Sequence, residues 1–185
     1  MNEEIEMKHP LHKIVGECID SHKFPNCKII KDPACGGQQN VPLFCSEGKS
    51  NKTEYCNVDL LILKDNRIQV IIEIEETDIT PTQICGKLLT SALSCYFIHE
   101  SQNNIPVGMS DSVSFIQILN ASQLKEGTAK TKQWENLEKS IINALPIKDS
   151  KIRKYRLLYG NILDFKGESG NKCVELVTYI KQALR

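Results

Sequence analysis

No stretch of the 185 residues approaches the ~18 consecutive apolar side chains of a membrane span, which argues against a helical membrane protein. The opening segment, Met1 to Lys13, is acidic and polar and does not read as a secretory leader. Net charge is missing as well: 23 basic and 23 acidic side chains cancel, so bulk coating of nucleic acid is excluded. There is no internal repeat and no low-complexity segment. Intrinsic disorder is excluded too, because 41% apolar and 25% charged residues suffice for a core. At this length one domain spanning 1–185 is the economical reading.

Eight cysteines are present, but no CxxC pair. Without a leader they read as reduced thiols of a cytoplasmic protein. A zinc site from Cys27, Cys35, Cys45 and Cys56 would need ligands separated by seven, nine and ten residues. Structural zinc usually draws two ligands from one tight turn, so the spacing disfavours it. The four histidines have no metal-ligand spacing, and His9 and His12 read as solvated N-terminal residues.

Hydrophobic periodicity places helices near 11–22, 82–95, 132–145 and 172–184, and strands near 41–45, 57–64, 68–75, 113–119 and 154–159. Residues 28–39, broken by Asp32-Pro33 and Gly36-Gly37, read as loop, as does 101–112. The order is α-β-β-β-α-β-α-β-α, an α/β domain with a central mixed sheet flanked by helices. Trp134 and Ile141-Ile142 lie on an amphipathic helix and read as core. Gly48-Lys49-Ser50 lacks the upstream glycine and following helix of a phosphate-binding loop, so an NTPase is rejected.

The informative signal is the pair 57–64 and 68–75, joined at Asp65-Asn66-Arg67. Alternation sets Val58, Leu60 and Ile62 with Val70, Ile72 and Ile74 on one apolar face. The other face carries Asp59, Glu73 and Glu75. A two-residue turn would put Asp59 opposite Ile72, whereas a three-residue loop puts it opposite Glu73 and keeps both apolar sets together. The second register is therefore expected, with three carboxylates in one patch. Such a patch repels itself unless a cation sits within it, and oxygen ligands suit Mg²⁺ or Mn²⁺.

Here the sequence resembles the PD-(D/E)XK nuclease superfamily, the restriction-endonuclease-like fold. Asn57-Val58-Asp59 matches its PD element and Glu73-Ile74-Glu75 its (D/E)XK element. Val58 stands for the proline and Glu75 for the lysine, a variant found in some restriction enzymes of this fold. The resemblance implies Asp59 and Glu73 as metal ligands, with Glu75 as a further ligand or general base. It implies Lys87 as a lysine supplied from the next helix, and Glu17 as the acid of the first helix. Gln83, one turn before Lys87, is placed to orient a water. The implied activity is Mg²⁺- or Mn²⁺-dependent endonucleolytic cleavage of DNA by a homodimer. A non-catalytic binding module on the same fold is the alternative, with Glu75 marking the lost lysine.

Charge is unevenly distributed around this motif. Residues 57–100 hold three basic and seven acidic side chains, whereas 121–156 hold nine basic and four acidic. The basic segment, with Lys148, Lys151, Arg153, Lys154 and Arg156, is expected to meet phosphate, as is the loop of Lys49 and Lys52.

Overall fold

The structure is a computed structural model that describes residues 9–125, 127–167 and 170–185; the first eight residues of the acidic opening segment lie outside them. In chain order the elements are α1 (Pro10–Cys18), β1 (Cys27–Lys31), β2 (Pro42–Phe44), β3 (Glu54–Asn57), β4 (Leu60–Lys64) and β5 (Arg67–Glu75). They continue with α2 (Pro81–Ala92), β6 (Tyr96–Phe97), β7 (Val107–Asn120), α3 (Lys130–Ala144), β8 (Ile152–Gly160) and α4 (Asn171–Ala183).

The mixed sheet flanked by helices is as expected, but three strands are additional. β1 was read as loop because Asp32-Pro33 follows it directly; pairing with β4 overrides that local signal. The anticipated strand 57–64 is divided between β3 and β4. The two-residue β6 is too short to leave a periodic signature.

β1, β4 and β5 form an antiparallel meander, and β7 and β8 continue it in parallel. The crossover from β5 to β7 runs through α2. β7 is long enough to serve a second, antiparallel sheet as well: Val107 and Gly108 pair with β6, which leads to β2 and β3. Near-continuous Val, Ile and Leu in β4 and β5 fit strands covered on both faces. One core joins Leu60, Ile62, Val70, Ile72 and Ile74 to Leu11 and Val15 of α1 and Leu176 and Ile180 of α4. The opposite core joins Leu61, Leu63, Ile68 and Ile71 to Ile84 and Leu88 of α2 and Trp134 and Ile141 of α3. Val58 falls in this second core, not in the first as alternation suggests, because it precedes β4.

Cys18 and Cys173 form a disulfide between α1 and α4, which corrects the expectation of eight reduced thiols. The four cysteines weighed as zinc ligands occupy β1, the 32–40 loop, the end of β2, and β3. No group of donor atoms in metal-ligand range among the described residues contains any of them. No helix among the described residues is long and apolar enough to cross a membrane.

Candidate metal centre

The hairpin reaches the expected alignment by an unexpected route. Lys64 pairs with Arg67, so the turn has two residues, and Asp65 and Asn66 both take positive φ, as a type I′ turn requires. Gln69 is then bulged out, shifting the pairing so that Leu61 faces Ile71 and Leu60 faces Ile72. Before Leu60 the chain leaves the ladder in a bend at Asp59, whose carboxyl group nevertheless lies beside that of Glu73 on the neighbouring strand. The three-residue loop is thus replaced by a two-residue turn plus one bulged residue.

Asp59 sits where the chain passes between sheets: the Val58 N–H donates to Val41 O, and the Asp59 carbonyl accepts from Asp32 N. Its carboxylate Oδ2 accepts the Ile74 N–H at 2.6 Å. Glu73 is fully buried, and its Oε2 accepts from Lys87 Nζ at 3.2 Å. Lys87 therefore reaches the carboxylates from α2, as anticipated. Gln83 is engaged at the start of α2, where it closes a capping box with Thr80, Gln83 N donating to Thr80 Oγ1 and Thr80 N to Gln83 Oε1.

The first helix contributes a residue other than the expected one. Glu17 is exposed and lines a hollow with Ile14, Asp20 and His22, without contact to the carboxylates. His12 takes that place, its Nε2 lying 3.6 Å from Asp59 Oδ1. Glu76, just beyond β5, accepts from both the His12 backbone N–H at 3.0 Å and its ring Nδ1 at 2.7 Å. His12 was read as solvated, but it is buried; its position beside Leu11, one turn before Val15 on the apolar stripe of α1, was the available signal. Gly16 lets α1 approach this closely, since a Cβ there would lie 2.1 Å from Cys35 O.

Charge in this cluster is unbalanced. Four carboxylates, Asp59, Glu73, Glu75 and Glu76, meet two cations, His12 and Lys87. Burial opposes the charged form of His12, yet Asp59 and Glu76 together raise its pKa to about 9. Burial also works against charge on Asp59, but its His12 partner and the Ile74 N–H hold it below the ordinary range. Glu73 is pushed well above the usual carboxylate value, chiefly by burial and then by Asp59. Burial likewise raises Glu75, with Lys87 opposing. Lys87 is raised because its three acidic neighbours outweigh its own desolvation. Oε1 of Glu73 and Oε1 of Glu75 are buried with no hydrogen-bond partner.

The three expected carboxylates share one face, but their oxygens do not converge to within 4.8 Å of one another. Asp59 and Glu73 lie side by side, yet the set of three is not closed, and Lys87 holds Glu73 at one oxygen. Donor atoms that close are found in His9, His12 and Glu76, where the approach is the His12–Glu76 hydrogen bond plus the His9 ring set edge-on at 5.2 Å.

The C-terminal part of the basic segment, residues 151–156, lies away from this cluster. Ile152 and Lys154 pair with Val113 and Ser114, toward the hairpin-turn end of the sheet, whereas Glu73 and Glu75 lie level with Gln117 and Leu119. Arg156 is engaged with Glu138 and Glu175, and Lys151 with Asp111. Lys49 contacts Asn104 and Glu100, beyond the far end of β3. A hollow of about 370 Å³ next to Glu76, lined also by Asp78, Asn120, Gln123, Lys130 and Trp134, brings Lys130 nearer the carboxylates instead. Compared with known protein families, with curated proteins and with solved structures, the chain finds no match.

Proposed function

We propose that the chain is a metal-dependent endodeoxyribonuclease of restriction-endonuclease-like fold. The reading is carried by the adjacent carboxyl groups of Asp59 and Glu73, with buried oxygens on Glu73 and Glu75 that receive no hydrogen bond. An unpartnered carboxylate oxygen in an apolar interior is costly, and a cation relieves that cost as it relieves the excess negative charge. The meander of β1, β4 and β5, followed by α2 and the parallel β7, supports the same fold reading.

Asp59, Glu73 and Glu75 would hold Mg²⁺ or Mn²⁺, with the protonated His12 ring paired to Asp59 and offsetting part of the negative charge. Such an ion supplies Lewis acidity toward a phosphate oxygen and acidifies a bound water. Glu75, its carboxyl raised by burial, accepts the proton of the attacking water at Oε1. The Lys87 ammonium balances charge gathering on the phosphate oxygens, the role of the lysine that Glu75 displaces. Glu76 holds the His12 ring through Nδ1, leaving Nε2 directed at Asp59. Cutting both strands of a duplex calls on two copies of the chain related by a two-fold axis.

Incubation with supercoiled, linear and single-stranded DNA in Mg²⁺ or Mn²⁺ tests this. Cleavage should require the metal and fall about 10²–10⁴-fold in Asp59→Ala and in Glu73→Ala, reflecting several kcal/mol of transition-state stabilisation. No cleavage of any DNA form would replace the enzyme with a binding module.

A further inference from the structure

The row that begins with Asp59 and Glu73 has a third polar member. Gln117 on β7 is the register partner of Glu73 on β5, and it is fully buried. Neighbouring pairs fix its face: Ile72 with Ile116 and Ile74 with Ile118 point toward α1, and Ile71 with Phe115 point toward α2. Glu73 and Gln117 therefore stand side by side under α2. A glutamine at the centre of a covered sheet needs a reason, because a buried amide group without a partner costs about 1–3 kcal/mol.

Half of that amide is accounted for. Tyr155 on β8 donates its hydroxyl to Gln117 Oε1 at 2.7 Å, within the buried interior. Burial and the nearby Glu138 push the Tyr155 phenol upward, so it stays protonated and remains a donor. With its oxygen held by Tyr155, the amide nitrogen is directed away from it, and Nε2 is a buried donor without a partner. On the adjacent strand Glu73 Oε1 is buried and receives no hydrogen bond from a donor, its carboxyl lying beside that of Asp59 and its other oxygen being held by Lys87. Adjacent strands lie about 4.8 Å apart, so one side-chain rotation or one bridging water joins the two.

We infer that Gln117, anchored by Tyr155, is a positioning residue whose amide N–H takes one lone pair of Glu73 Oε1 and so fixes the other toward the cation. The inference rests on the metal-binding reading above. It extends the centre from one hairpin to three adjacent strands and gives β8 a share in it. Gln117 touches neither the ion nor the substrate.

The test is a Mn²⁺ titration of the full chain, following the paramagnetic resonance of the free ion, on the wild type, Gln117→Met and Tyr155→Phe. Gln117→Met keeps the shape and removes the donor. It should weaken Mn²⁺ binding about 10-fold, as loss of an outer-sphere partner typically does, while the metal-free melting temperature is maintained or rises. A merely structural glutamine would instead lower the metal-free melting temperature and leave the affinity within twofold of wild type, and that result overturns the inference. Tyr155→Phe should shift affinity in the same direction, and it carries the test should Gln117→Met not fold; unchanged affinity in Tyr155→Phe would then overturn it. Wild type without Mn²⁺ binding removes the metal reading itself, and the inference with it.

Discussion

Toward α1 and α4 the sheet presents Leu60, Ile62, Val70, Ile72, Ile74, Ile116 and Ile118, all buried, under helices joined by the Cys18–Cys173 disulfide. Toward α2 and α3 the same strands present Asp59, Glu73 and Gln117 in a row, among Leu61, Ile71 and Phe115. Apart from Ser114 beside Val70, the first face is held by close packing of apolar side chains. The second buries two carboxylate oxygens and an amide nitrogen without partners, a cost that the first face must cover. This contrast is what a binding centre built into a core entails: one side of a sheet secures the fold so that the other can hold groups poised for something absent.

Breaking the apolar face should have the largest effect. Ile72→Ala, next to Glu73 but directed at α1, should cost about 2–5 kcal/mol in urea unfolding. A loss no greater than that of an exposed site would show the two faces to be less distinct than they look.

Protonation of His12 comes next. Its folded pKa of about 9 exceeds the ordinary 6.5, so its contribution is complete below pH 6.5 and is lost as the pH rises through about 9. Measured without metal in a Glu73→Gln background, this decline should amount to at most about 3 kcal/mol and be absent once His12→Gln is added. A decline that persists in the double variant would assign it to another group.

The smallest effect has the opposite sign. The native state holds a proton on Glu73 to higher pH than the unfolded chain does, so metal-free stability falls as the pH rises above the ordinary carboxylate range. Glu73→Gln should remove this penalty and stabilise the metal-free chain at neutral pH by about 1–2 kcal/mol, although it impairs ion binding. Destabilisation would mean that Glu73 belongs with the packing residues, and the comparison between faces would fail.

The two faces also differ in how far they could be read from sequence. Alternation in β4 and β5 identified the apolar set, apart from Val58, and set Asp59 with Glu73 on the other side, because side-chain period is a local property. Lys87 was reachable by counting along α2. His12 offered only its place on the apolar stripe of α1, and Gln117 and Tyr155 offered nothing, because each joins the site through pairing between distant segments that leaves no local pattern. The Cys18–Cys173 bond was hidden for the same reason, with 155 residues between its partners. Glu17 is a different case: its charge is real, but the turn of α1 carries it to the exposed side of the helix, away from the carboxylates.

The bulge at Gln69 is not alone. β7 breaks step between Met109 and Ser114, and β8 between Ile152 and Lys154, at the same height in the sheet. The three offsets form a dislocation running across β5, β7 and β8, much like an edge defect between two crystal grains. On one side lies the lattice of the hairpin tip, and on the other an uninterrupted lattice carrying Asp59, Glu73 and Gln117. Because spacing errors terminate at the defect, the tip can lengthen, shorten or exchange its turn residues while the acids and the amide remain in phase.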